Sequence, residues 1–208
     1  MPIECYGATR VQDGKSKNED AFLIEQGRIP FAALCDGAGV AEQAAKKTLG
    51  FFHRLFKEET LAQILRDATW ARWVKLLDSS LLGSAETTFI AVAIVGDQIV
   101  GAYVGDSRAY LIETTGNCRI ITASANKFRL GSGEAKAAPI HLTIKHRDVL
   151  VLLSDGAWTP LSPYLLQKAA LTAALESFSE VPHAILDAAG RTGRPDDMTA
   201  VALRITKP

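Results

Sequence analysis

The run Val149-Leu150-Val151-Leu152-Leu153 contains no polar residue and stops at Ser154-Asp155-Gly156. Five consecutive apolar residues do not suit a strand with one wet face; they call for a strand covered on both sides, and so for a layered fold. The same juxtaposition of apolar run and acid recurs along the chain. Phe31-Ala32-Ala33-Leu34-Cys35 runs into Asp36-Gly37-Ala38-Gly39, Asn18-Glu19-Asp20 precedes Ala21-Phe22-Leu23-Ile24-Glu25, and Asp196-Asp197 precedes the closing run Thr199 to Ile205. Four strand ends that each carry carboxylates can bring several anions to one point, which is the outline of a divalent-cation site.

With 208 residues, 48% hydrophobic and 22% charged, the chain has material for a sizeable core, and residues 1–208 are expected to form one compact domain. The formal net charge is zero and no Lys/Arg block occurs, so neither a nucleic-acid surface nor a polybasic membrane anchor is indicated. No basic segment followed by an apolar one opens the chain, and no apolar run is long enough to span a bilayer; the expected location is cytoplasmic. Cys5, Cys35 and Cys118 lack C-x-x-C spacing and read as small buried residues, not as a disulfide framework or a zinc site.

Periodicity divides the chain into blocks. Ala21–Glu25 and Phe31–Cys35 read as a strand pair about Gly27-Arg28. From Ala41, the positions Ala44, Ala45, Thr48, Leu49, Phe52, Leu55 and Phe56 keep helical spacing, and a second helix is expected over Leu61 to Leu82. Thr87–Val95, Ile99–Val104, Arg108–Glu113 and Arg119–Thr122, separated by Gly96-Asp97, Gly105-Asp106 and Thr115-Gly116-Asn117, read as an antiparallel meander. Ala123 to Ala138 has no period and reads as a loop. Strands follow at Ile140–Ile144 and Asp148–Leu153, helices at Pro160–Leu175 and Val181–Ala189, and a last strand at Thr199–Ile205. Central strands with helices in two blocks give an α+β fold.

Taken in order, Asn18-Glu19-Asp20, then Asp36-Gly37-Ala38-Gly39, then Thr87-Thr88 followed by Val104-Gly105-Asp106-Ser107-Arg108-Ala109-Tyr110 as one motif, then Leu153-Ser154-Asp155-Gly156-Ala157-Trp158, and then Asp196-Asp197-Met198-Thr199 resemble the motifs of the metal-dependent protein phosphatases of type 2C. Each piece alone is a common turn; five in the correct order across nearly the whole chain are specific. The resemblance implies a central antiparallel β-sandwich flanked by helix pairs, in α-β-β-α layers. It also implies two Mn²⁺ or Mg²⁺ ions and a phosphorylated protein substrate carrying phosphoserine or phosphothreonine, set there by a cognate Ser/Thr kinase. Two such ions about 4 Å apart can activate a water for in-line attack on phosphorus without a covalent intermediate. By the same resemblance Asp36 bridges both ions, the Gly37 carbonyl adds an oxygen, and Asp155 and Asp196 hold the second ion. Glu19 and Asp20 act through metal-bound waters, and Asp106 with Asp155 matches a weaker third site.

Other readings stay open beside these. Asp106-Ser107-Arg108 reads equally as a hairpin turn with an internal ion pair, Asp197 as a capping or supporting group, and His53, His141, His146 and His183 as surface or core residues. The three tryptophans read as packing residues. Lys15 stands where many members carry an arginine for the substrate phosphate, with Lys17 and Arg10 as further cations nearby; a lysine attracts phosphate without the bidentate fork. Ala38 stands where some members have a histidine, Val40 replaces a second glycine, and Glu86-Thr87-Thr88 replaces Gly-Ser/Thr-Thr. The segment Ala123 to Ala138 is short and lacks an Asp-His-Ser element, so the resemblance carries no substrate-recognising flap onto it. A non-catalytic partner-binding relative and a phosphomonoesterase for small metabolites are the alternatives.

Overall fold

A computed structural model describes residues 2–38, 42–122, 128–192 and 196–206. The expected helix start at Ala41, the Val40 departure and positions 123–127 of the expected loop lie outside these residues. In chain order the elements are β1 (Ile3–Arg10), β2 (Asp20–Glu25), β3 (Phe31–Ala38), α1 (Glu42–Lys57), α2 (Leu61–Ile64), α3 (Asp67–Leu81), β4 (Glu86–Thr87), β5 (Phe89–Val95) and β6 (Gln98–Val104). They continue with β7 (Arg108–Ile112), β8 (Cys118–Ile120), β9 (Ala138–Thr143), β10 (Val149–Leu153), α4 (Asp155–Trp158), α5 (Pro163–Glu176), α6 (Val181–Gly190) and β11 (Met198–Ile205).

Two antiparallel sheets result. One has the order β1-β11-β10-β7-β8; the other runs β2-β3-β5-β6-β9, with β4 paired to β3. Their facing sides interdigitate Leu34, Ile90 and Val92 with Leu150, Leu152, Val201 and Leu203. The outer face of the second sheet receives α1 and α3 through a nest of aromatic rings: Phe52 packs on Phe31, Phe89, Trp70 and Trp73 at centroid separations of 5.2 to 6.0 Å. On the other side, Leu166 of α5 and Ile185 of α6 cover Val151, Leu153 and Ala202. Alternate residues of β10 thus enter different cores, which is why its sequence has no polar position. The layer order is the α-β-β-α arrangement that the motifs implied.

Four local readings are corrected. The expected helix over Leu61 to Leu82 is broken. A capping box between Thr60 and Gln63 starts α2, the chain turns extended at Arg66 (φ −106°, ψ 127°), and the indole of Trp70 donates to the Ile64 carbonyl at 2.8 Å. The expected meander is also broken, because β6 and β7 belong to different sheets and Gly105-Asp106-Ser107 carries the chain across. A separate helical turn, α4, opens at Asp155, and α5 then starts at Pro163, a residue whose fixed φ suits a first helical turn. Finally β1, absent from the sequence reading, pairs with β11 along its whole length, from Ile3↔Ile205 to Arg10↔Met198. Among the described residues no helix is long and apolar enough to cross a membrane.

Candidate metal centre

The pairing of β2 with β3 sets Asp20 directly opposite Asp36. Both are buried, at 4% and 8% exposure, and one oxygen of each, Oδ2, has no hydrogen-bond partner. A buried carboxylate oxygen left bare is costly unless something positive or a donor comes to it. Burial, then the charges of Asp20 and Asp155, push the Asp36 carboxyl up to about 9, against the opposing pull of Arg129; a hydrogen bond with the Asp155 side chain adds to the rise. Burial raises Asp20 to about 7, with the hydroxyls of Ser154 and Thr199 working in the other direction and the charges of Asp197 and Asp155 adding to the rise.

Backbone hydrogen bonds fix this group in place. The Asp36 N–H donates to the Thr88 hydroxyl at 2.9 Å, while the Asp36 carbonyl accepts from the Thr88 N–H at 2.8 Å and from the Thr87 hydroxyl at 2.9 Å. Thr88 in turn shares a hydrogen bond of 2.7 Å with the Ser107 hydroxyl. Gly105, at φ +92°, turns the chain where a β-carbon would press on Thr88, so the crossing between sheets needs glycine. Ser154, fully buried, accepts the Thr199 N–H at 2.8 Å and tethers the start of α4, whose first residue is Asp155. A β-carbon on Gly156 would collide with the Asp197 carbonyl; its absence lets the two segments touch. Asn18 closes the ring, accepting from the Asp20 N–H at 2.9 Å and donating to the Thr9 hydroxyl at 2.7 Å.

The expected residues do not all meet at one point. Asp20, Asp36 and Asp155 come together and feel one another's charge. Glu19, Lys15 and Asp196 stand at the rim: Lys15 Nζ lies 3.4 Å from Glu19 and 3.8 Å from Asp197, and, although burial pulls the other way, Asp197, Glu19 and Asp196 hold its ammonium above its ordinary value. Gly37 pairs opposite Thr87 and donates its N–H to the Glu19 carbonyl. Asp106 pairs with Arg129, whose charge also acts on Asp36. Asp197 has the supporting role: its two oxygens accept the N–H groups of Gln12 and Glu19 at 2.7 and 2.8 Å, tying the start of β11 to the loop before β2. Arg10 is engaged with Asp187, and His53, His141 and His146 bond to Glu25, Asp67 and the Ile205 carbonyl.

Among the described residues no three His, Cys, Asp or Glu side chains are arranged as a group that could hold a metal ion. The fit to a hard cation rests on the two bare oxygens, on a donor set made of oxygen alone, and on repulsion that positive charge would relieve. Two features escaped the sequence reading. Arg129 lies in the stretch without period, so only folding brings it to Asp106. Arg108 does not pair with Asp106 as a hairpin turn would have it; its guanidinium stacks 3.3 Å over the Trp158 ring, whose N–H donates to the Asp106 carbonyl at 3.0 Å. Trp158 is therefore more than a packing residue.

The family model described as stage II sporulation protein E matches residues 34–206. The chain belongs to the stage II sporulation protein E family. Comparison with curated protein sequences gives no match. Solved structures resemble the fold of this chain over essentially all of its length. The catalytic domain of the serine/threonine protein phosphatase PstP, in complex with 2 manganese ions, is 21% identical with a TM-score of 0.82, covering 99% of both chains. The S. agalactiae serine/threonine phosphatase is 20% identical with a TM-score of 0.85, covering 98% of this chain and 100% of that one. Stp1 from Staphylococcus aureus is 20% identical with a TM-score of 0.86, covering 100% and 96%. The type 2C resemblance of the motifs and the layered fold are thereby established for this member of the family.

Proposed function

We propose that this chain is a Mn²⁺- or Mg²⁺-dependent phosphatase that removes phosphate from phosphoserine and phosphothreonine in proteins, opposing a cognate Ser/Thr kinase. The observation that carries this reading is the buried Asp20–Asp36 pair with one bare oxygen on each acid, joined by Asp155. Its oxygen-only donors suit the kind of ion named for the PstP catalytic domain. Asp36, Asp20 and Asp155 would hold the ions, with Asp196, Glu19 and the Gly37 carbonyl completing the set. When bound, a pair of divalent cations supplies an activated water and neutralises phosphoryl oxygens. The chain's own residues do the rest: Thr87 and Thr88 hold Asp36 in register, Asp197 fixes the Glu19 backbone, and Lys15 at the rim draws in the phosphate dianion.

Assays with p-nitrophenyl phosphate and a phosphothreonine peptide test it. Hydrolysis of both with Mn²⁺ or Mg²⁺, abolished by a chelator, is the expected result. Full activity in metal-free buffer, or a folded sample inactive with every ion, overturns it. Turnover of small esters alone would make it a metabolite phosphomonoesterase.

A further inference from the structure

We infer that Arg129 is the residue that orients the substrate's phosphoryl group, supplying the guanidinium fork that Lys15 lacks; this rests on the phosphatase reading. Arg129 Nη2 lies 3.4 and 3.5 Å from the two oxygens of Asp106. A tight charge-assisted pair closes to about 2.7–2.9 Å, so this one is loose, and a phosphate dianion is the stronger acceptor. Its charge also reaches Asp36, at the centre of the acid group.

The backbone around the arginine is firmly held. Leu130 is fully buried and exchanges two backbone hydrogen bonds with Thr87, of 3.1 and 2.9 Å. Thr87 is also the residue whose hydroxyl holds the Asp36 carbonyl, so one threonine sets the spacing between the guanidinium and the bare carboxylate. Buried Asp78 of α3 accepts the N–H groups of Gly131 and Gly133 at 2.7 and 3.1 Å, and the Ser132 hydroxyl donates to the Arg129 carbonyl at 2.7 Å. Gly131, at φ +98°, lies where a β-carbon would strike the Ala85 carbonyl. By contrast Lys15 follows Gly14 on a surface turn and is engaged with Glu19 and Asp197.

The test pairs steady-state kinetics on one phosphopeptide with calorimetric titration of inorganic phosphate onto the Mn²⁺-loaded protein. Arg129→Ala should raise KM and weaken phosphate binding by roughly 10- to 100-fold, with a smaller change in kcat and with Mn²⁺ binding retained. Arg129→Lys should recover part of the loss, and Lys15→Ala should cost less than Arg129→Ala. An unchanged KM and phosphate affinity in folded Arg129→Ala overturns the assignment while leaving the phosphatase reading intact; so does a loss carried wholly by Lys15→Ala. If Arg129→Ala does not fold, Arg129→Gln decides by the same two readouts. If the wild type hydrolyses no phosphoester, the function falls separately, and the phosphate titration still decides: binding lost in Arg129→Ala supports the site, and no binding to the wild type overturns it.

Discussion

Asp36 is tied at its backbone by two threonines while its side chain faces Asp20 and Asp155. Exchange of any anionic ligand for an amide should therefore remove ion binding and leave the backbone undisturbed. Asp36→Asn, Asp155→Asn and Asp196→Asn are each expected to lose nearly all turnover and to keep or raise the melting temperature in chelator, since repulsion is relieved; Mn²⁺ titration and thermal melts check both halves. Thr88→Val removes the hydroxyl that accepts the Asp36 N–H and should cost about 10- to 100-fold in Mn²⁺ affinity or activity, as losses of groups supporting ligands usually do. That Asp36 and Asp155 would meet was legible because each stands at the end of an apolar run, Asp36 directly after Cys35 and Asp155 one residue on, past Ser154. Arg129 was not, because nothing local marks it: its neighbours have no period, and its partner Asp106 is 23 residues away.

At the level of elements, continuous hydrophobic patterns could be read and interruptions could not. Helix α1 and strands β2, β3, β5, β6 and β10 lie close to where periodicity puts them. The break between α2 and α3 has neither glycine nor proline to announce it; it depends on a long-range packing choice, the burial of Trp70 and Trp73 against Phe52. Strand β1 was missed because Glu4, Tyr6, Thr9 and Arg10 dilute its apolar residues, and its stability comes from β11. The short element carrying Arg129 hangs on α3 through one acid. Asp78→Ala strips the acceptor from two N–H groups and should destabilise the fold by about 1–3 kcal/mol in chemical denaturation. It should also raise KM in the direction of Arg129→Ala.

For the whole molecule, the acid group at the junction of the two sheets is a store of repulsion. Asp20 and Asp36 have folded-state values of about 7 and about 9 against an ordinary 3.8. Groups raised in this way favour the fold at low pH, and that contribution is lost progressively as pH climbs from the ordinary value to the raised ones. In chelator the melting temperature should fall between about pH 4 and 9, Asp36→Asn should flatten the fall, and saturating Mn²⁺ should lift the alkaline end most; melts across pH, with and without the ion, check this. The sheet order has a further consequence, for the order in which a chain made from its N-terminus can assemble. Strand β11 sits between β1 and β10, and Asp196-Asp197 stand at its entrance, tying Gln12 and Glu19. Until β11 emerges, β1 lacks the strand it pairs with among the described residues, and the loop before β2 lacks Asp197 to close on. A chain made from its N-terminus therefore completes neither the first sheet nor the group of acids until β11 has emerged.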